Sequence, residues 1–271
     1  MNIKKNIIKA FIGGIAACLC MACGGSDSKD YWGDTSGGED KEPTENPNAS
    51  KPRYIWIDAA ANFPDFANSK KNIARDLALA KDAGFTDIVV DVRPTTGDVL
   101  FKTNHVDQVK FMYAWIGSNY TKVERTATWD YLQAFVDEAR KQGLRIHAAI
   151  NTFVGGNQID GGTGLLYRDQ SKAAWATQMN MQTGITSVMN TSESAKFFNP
   201  AHPEVQTFLC NLLKDLASYD LDGIFLDRGR FLNLQADFSE ESRKQFEAYM
   251  GGIKIQNYPE DILTPVSYTH L

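Results

Sequence analysis

The stretch LDGIFLDRGRF, Leu221 to Phe231, decides how the rest of the chain is read. Ile224, Phe225 and Leu226 form an apolar run of strand length that ends abruptly in Asp227, Arg228, Gly229 and Arg230. A buried strand running straight into charge suits the open C-terminal end of a parallel strand, where α/β sheets and barrels place their active sites. Asp227 is therefore the first candidate for chemistry. The alternative is a strand-terminating aspartate that only ties down the next loop.

The same grammar repeats upstream of this strand. Tyr54 to Asp58 reads as a first strand, followed by a helix over Ser69 to Ala83 with Ile73, Leu77 and Ala80 on one face, Ser69 as N-cap and Gly84 closing it. Phe85 to Val92 is a second buried strand that runs into Arg93 and Pro94. Thr128 to Asp130 opens a helix through Leu132, Phe135, Val136 and Ala139, which Gly143 ends before a third strand, Leu144 to Ile150, reaching Asn151. His202, Pro203 and Glu204 start a helix through Val205, Phe208, Leu209, Leu212, Leu213 and Leu216 that leads to the fourth strand, Asp222 to Asp227. Ser239 opens one more helix, with Phe246 and Tyr249 on one face. Strand and helix alternating in this way predict an α/β fold with a parallel sheet and right-handed crossovers.

Two connections, 94–127 and 152–197, are far longer than the usual few residues, and both follow strands. The first carries Phe101, His105, Phe111, Tyr113, Trp115 and Tyr120; the second carries Phe153, Gly155, Gly156, Tyr167 and Trp175. Aromatic side chains over the C-terminal face of a sheet suit stacking on sugar rings, and the alternative is that they pack small cores of the loops themselves.

The N-terminal segment is read apart from the fold. Lys4, Lys5 and Lys9 precede an apolar stretch from Ile7 to Ala22, the pattern of a secretory signal over residues 1–22. The segment resembles bacterial lipoprotein signals, with Cys23 as the expected lipidated N-terminus and Cys18 as the alternative. Residues 23–52 are Gly, Ser, Asp, Glu, Pro and Asn with almost no aliphatics, which predicts a flexible tether between lipid and domain. Cleavage before Cys23 leaves 25 basic against 33 acidic residues, and an acidic chain without a basic stripe is unsuited to nucleic acid. Cys210 then remains as the single cysteine of the folded part, within an apolar helical pattern that suits an inert buried thiol. No Cys/His spacing of metal-ligand type occurs, so neither metal nor cofactor is expected, and the oligomeric state is left open.

Several motifs stand in a recognisable order. They are Arg53-Tyr-Ile-Trp-Ile; Gly84-Phe85 and the strand into Asp91-Val-Arg93-Pro94; Gly97-Asp98; Trp129-Asp130; and Gly143 through His147 to Asn151. Asn199-Pro200-Ala-His202-Pro203-Glu204, Asp222 to Asp227 and Asp237-Phe-Ser-Glu complete the series. Across residues 53–250 the chain resembles the glycoside-hydrolase-like family 10 domain, which occurs in tethered lipoproteins of Bacteroidetes. The resemblance implies a (β/α)8 barrel of TIM type related to α-amylase-type glycosidases, acting on O-glycosidic bonds of an extracytoplasmic polysaccharide or peptidoglycan glycan. It implies a lipid-anchored protein of the cell envelope, at the outer membrane or surface of a Gram-negative bacterium. It also carries the role of nucleophilic or charge-stabilising carboxylate to Asp227. Where the family often has a second acid directly after this position, the chain has Arg228.

Glycoside hydrolysis uses two carboxyl groups, one donating a proton and one attacking or stabilising the oxocarbenium-like centre. Around Asp227 the expected substrate contacts are Arg93, Asn151, Asp91 and Arg228, with Trp115, Tyr167 and His105 from the long loops; Arg93, Arg228 or Arg230 would keep Asp227 ionised. Asp58 ends the first strand in an equivalent place, while His147 and His202 read as structural. Eight βα units take about 250 residues, and 53–265 accommodates four with two long loops. The expectation is the N-terminal half of a barrel, inactive alone, with the proton donor on a later strand. The last residues, 266–271, read as a non-native read-through tail. The rival expectation is a glycan-binding lipoprotein that kept the scaffold without the chemistry.

Overall fold

The computed structural model describes residues 51–263. The expected signal segment with Cys18 and Cys23, nearly all of the tether and the tail at 266–271 lie outside the described residues.

Strand β1 (Tyr54–Ile57), the short helix α1 (Phe63–Phe66) and helix α2 (Lys70–Asp82) lead into β2 (Asp87–Arg93). A hairpin of β3 (Phe111–Ile116) and β4 (Asn119–Glu124) precedes α3 (Tyr131–Lys141) and β5 (Arg145–Asn151). The next long connection holds β6 (Val154–Asn157), α4 (Leu165–Arg168), β7 (Gln178–Met181), β8 (Gly184–Ser187) and β9 (Ala195–Phe197). Helix α5 (Pro203–Leu216) then returns to β10 (Gly223–Asp227), which α6 (Glu240–Tyr249) follows. Residues 53–259 form one unit, and α7 (Glu260–Leu263) comes after it in the chain.

β1, β2, β5 and β10 form one parallel sheet in the order β1-β2-β5-β10. Because side chains alternate along a strand, each strand divides its residues between two environments. Ile88, Val90, Ile146, Ala148 and Ile150 are buried on one face, against the Leu132, Phe135, Val136 and Ala139 stripe of α3. The other face carries Tyr54, Trp56, His147 and Phe225, whose rings touch at centroid distances of 5.5 to 6.1 Å. At the C-terminal ends of the strands this second face passes into Asp58, Asp91, Asn151 and Asp227.

The helix starts follow from capping chemistry. Ser69 Oγ accepts from the Asn72 N–H at 3.2 Å, Asp130 Oδ1 from Gln133 at 3.1 Å, and Ser239 Oγ from Ser242 at 3.1 Å. Caps of this kind stabilise a helix by about 1 kcal/mol each. His202 Nδ1 takes the equivalent role by accepting from Glu204 N–H at 3.2 Å, and His147 Nε2 lies 2.9 Å from the buried carboxylate of Asp87. Both histidines are structural, as expected.

Four expectations change. β10 is not a buried strand: Phe225 is 37% and Leu226 40% exposed, because among the described residues β10 pairs with β5 on one side only. The long connections are not plain loops, since three small antiparallel pairs fold within or from them. Part of their aromatic content builds local cores: Phe101 and Trp175 are buried, and Trp175 Nε1 donates to Glu204 Oε2 at 2.8 Å. Finally, α6 buries Glu247 and leaves Tyr249 exposed. Glu247 accepts from the Ile255 N–H at 3.0 Å and pairs with Lys254 at 2.6 Å and Arg243 at 3.1 Å, which hold its carboxyl down at about 2.

Candidate active site

A cleft of about 170 Å³ opens at the C-terminal ends of the sheet strands, lined by residues from all four strands and from the connections that follow them. Trp56 and Asp58 come from β1 and its end, Asp91 from β2, Ala149 and Asn151 from β5, and Asp227 and Arg228 from β10 and its end. Pro94 and Thr95 from the turn after β2 and Met112 from β3 complete the wall.

Each acid is set by its backbone. Asp58 Oδ1 accepts from the N–H groups of Ala60 at 2.8 Å and Ala61 at 2.7 Å, so this carboxylate is fixed by the turn that it starts. Asp227 sits opposite Asn151 in the β5–β10 register, and its carbonyl accepts from Thr152 N–H at 2.7 Å, which ties the two strand ends together. The chain then turns sharply: Arg228 adopts φ 46°, and its N–H donates back to Asp227 Oδ1 at 2.7 Å. Asp227 itself is exposed at the cleft mouth.

Asp91 is the buried member of the group. Its Oδ1 accepts from Arg93 N–H at 3.2 Å, and it is only 8% exposed. Burial, reinforced by the nearby carboxylates of Asp58 and Asp227, pushes its carboxyl up to about 7. The cleft therefore sets one exposed aspartate beside one buried, readily protonated one, two environments that drive two carboxyls toward different roles. Asn151 is also buried; its Nδ2 donates to the Arg93 carbonyl at 3.0 Å, which leaves its side-chain oxygen at the cleft wall.

Of the residues singled out from sequence, Asp227, Asn151, Asp91 and Arg228 converge on this cleft, and Arg93, Trp115, Tyr167 and His105 do not. The β2–β5 register shifts between Asp91 and Arg93, so Arg93 pairs with Ile150 and leaves the simple alternation. Its guanidinium is fully buried, donates to the carbonyl oxygens of Asn151, Thr152 and Val154, and is lowered to about 10 by burial. Arg93 thus fixes the chain that leaves β5, while Arg228 lines the cleft and meets Asp227 through its backbone N–H. Tyr167 packs its ring on Gly156 and Gly162, where an added Cβ would come within 3.1 and 2.2 Å of it. His105 lies 3.8 Å from Asp215 and lines a separate groove with Asp107 and Arg168. Trp115 is on the β3–β4 hairpin, outside the cleft lining.

Trp56 and Met112 were not legible as cleft residues. Trp56 read only as one position of the first strand, and it is 46% exposed on the face of the sheet that holds the cleft. Among the described residues, no group of three His, Cys, Asp or Glu side chains is placed to hold a metal ion.

Sheet and cleft together define an α/β protein with an acid-lined cleft at the C-terminal edge of a parallel sheet. The chain belongs to the glycosyl hydrolase-like 10 family, which it matches over residues 51–261. It is 32% identical over 218 residues to an S-layer-related protein of Niallia circulans, a match that takes in 78% of this chain and spans 13% of that relative. Similar solved structures include α-L-fucosidase isoenzyme 2 from Paenibacillus thiaminolyticus, 17% identical over 79% of this chain and 28% of that one, with a TM-score of 0.49. A hypothetical protein from Ruminiclostridium thermocellum is 15% identical over 73% of this chain and 90% of that one, with a TM-score of 0.44. The GH36 α-galactosidase AgaB from Geobacillus stearothermophilus is 12% identical over 75% of this chain and 25% of that one, also at 0.44.

Proposed function

We propose that the chain is the first half of a glycosidase-type (β/α)8 barrel, tethered by lipid at the cell envelope, which hydrolyses O-glycosidic bonds of an extracytoplasmic polysaccharide or peptidoglycan glycan. The observation that carries this reading is the exposed carboxylate of Asp227, at the end of a parallel strand in a cleft shared with Asp58, Asp91 and Asn151. In this role Asp227 attacks or stabilises the oxocarbenium-like centre, with its Oδ1 oriented by the Arg228 N–H. Asn151 offers its amide oxygen to a sugar hydroxyl, and Trp56 supplies an apolar wall. Burial pushes the Asp91 carboxyl up to about 7, which disfavours charge on this buried member of the site.

In this reading, strands paired along the outer edges of β1 and β10 close the barrel, and one of them carries the proton donor. The edges of β1 and β10, each paired on one side among the described residues, and the exposed rings of Tyr54, Trp56 and Phe225 on the inner face support this completion. The rival reading is a non-catalytic glycan-binding scaffold, favoured by Arg228 standing directly after Asp227. Release of reducing ends from a panel of glycans separates them, measured on this chain and on an extended form of the protein with a closed barrel. The extended protein is expected to turn substrate over and this chain to be inactive. Robust turnover by this chain alone would sink the half-barrel reading, and binding without turnover by the extended one would favour the scaffold.

A further inference from the structure

The outer face of the β3–β4 hairpin carries a row of aromatic rings that the cleft does not use. The strand register sets Phe111 opposite Glu124, Tyr113 opposite Lys122 and Trp115 opposite Tyr120, so these six side chains share one face. The other face presents Met112 and Ala114, both buried, and Met112 lines the cleft. One ribbon thus walls the cleft with one side and displays rings on the other. The rings run in sequence, with centroids 6.0 Å apart for Phe111 and Tyr113, 5.4 Å for the stacked Tyr113 and Tyr120, and 5.3 Å for Trp115 and Tyr120. At the outer end Trp115 is 67% and Tyr120 55% exposed.

The inner end is clamped. Lys122 Nζ lies 4.0 Å from the Phe111 ring centroid and donates to Asp160 Oδ2 at 2.5 Å, and the Tyr113 hydroxyl donates to Asp160 Oδ1 at 3.3 Å. Asp160 makes these bonds from the left-handed region, at φ 56°, which costs a non-glycine residue about 1 kcal/mol. The ribbon that carries Trp115 and Tyr120 is thereby fixed at its inner end, and Tyr120 stacks on the clamped Tyr113 ring.

The size and charge of this shelf select its occupant. Two rings offer at most about 300–400 Å², no more than half of the roughly 800 Å² that a stable protein partner covers on each side. A narrow ligand fits where a folded partner does not. The lysine is committed to Asp160 and Glu124 lies across from Phe111, so the face does not attract a polyanion. The turn itself is Gly117 and Ser118. Ile116 beside it, 48% exposed, lies on the opposite face of the ribbon with Met112 and Ala114, so the row of rings does not run on into an apolar tip that would enter a lipid surface. We propose that Trp115 and Tyr120 form a second glycan-binding site outside the cleft, stacking on pyranose rings that present an all-C–H face, as in β-linked gluco-configured chains. The shelf holds the polymer that the cleft works on, so this inference rests on the glycan reading above.

Co-sedimentation of the purified chain with cellulose, chitin and peptidoglycan sacculi tests it, alongside Trp115→Ala/Tyr120→Ala and, for the cleft, Trp56→Ala. The double variant is expected to lose at least ten-fold in retention on the retaining glycan with an unchanged melting temperature, while Trp56→Ala keeps the larger share. Wild-type retention by the double variant, with loss in Trp56→Ala, would overturn the shelf and leave the glycan reading standing. Failure of the wild type on every glycan would remove both. Sedimentation with phospholipid vesicles that depends on Trp115 would make the shelf a lipid site and overturn the proposal.

Discussion

Replacing Asp91 by asparagine probes the electrostatics of the cleft most sharply. In the folded protein this carboxyl is pushed up to about 7 from an ordinary 3.8, first by burial and then by Asp58 and Asp227. The Arg93 guanidinium gives limited relief, since it is directed at the carbonyls of Asn151, Thr152 and Val154. Between pH 4 and 7 the folded chain therefore keeps a proton that the unfolded chain releases. The wild type loses stability as pH rises through that window and stays at the lower level above it. At 1.36 kcal/mol per pH unit the loss by pH 8 is on the order of 4 kcal/mol. Asparagine removes the charge and retains an oxygen for the Arg93 N–H, so Asp91→Asn should be the more stable protein at pH 8. For a unit of about 200 residues the gain corresponds to roughly 8–15 °C in melting temperature. Near pH 4 the two proteins should melt together, because Asp91 is protonated in the wild type as well. Thermal denaturation at pH 4, 6 and 8 reads this directly. A difference that does not change with pH, or a variant less stable at pH 8, would refute the assignment of Asp91 as the protonated carboxyl of the cleft.

Two further substitutions test the frame that holds the cleft. Arg93→Lys strips three buried carbonyl oxygens of their shared fork, and should destabilise by about 3–5 kcal/mol in urea denaturation; a loss under 1 kcal/mol would show that the contacts do not hold the chain after β5. Asp87→Asn removes the buried partner of Arg145 and His147. Asp87 is held well below the usual carboxylate range, chiefly by its bond from Arg145, so its contribution is present above pH 4 and fades as pH falls. The variant should lose about 2–3 kcal/mol at pH 7, with a smaller deficit at pH 3; a deficit that grows on acidification would contradict the sign.

Much of the fold was legible because its signals are local. Ser69, Asp130 and Ser239 announced helix starts by the chemistry of their side chains, and Gly84 and Gly143, at φ 85° and 66°, marked the helix ends. Apolar runs ending in charge located Asp91, Asn151 and Asp227 at neighbouring strand ends, and all three line the cleft. What failed depends on long-range geometry. The register shift after Asp91 removes Arg93 from the cleft, and a bulge of one residue leaves no mark in an alternating pattern. Tyr167 looked available in a glycine-rich loop, but those glycines are the seat on which its ring packs. Phe225 and Leu226 have the composition of a central strand, while their exposure depends on which strands lie alongside. Trp115, expected to meet substrate in the cleft, lies instead on a separate face whose orientation follows from the β3–β4 pairing.

Asp227 is proposed as the carboxylate that meets the reacting sugar, and Asp227→Asn in a glycan-hydrolysing form of the protein tests that role most directly. Turnover and oligosaccharide affinity are measured together on the same preparation. kcat/KM is expected to fall by about 10³-fold or more, equivalent to at least ~4 kcal/mol of transition-state stabilisation, while Kd for an oligosaccharide changes by less than about ten-fold, or 1.4 kcal/mol. Turnover equal to that of the wild type would contradict it.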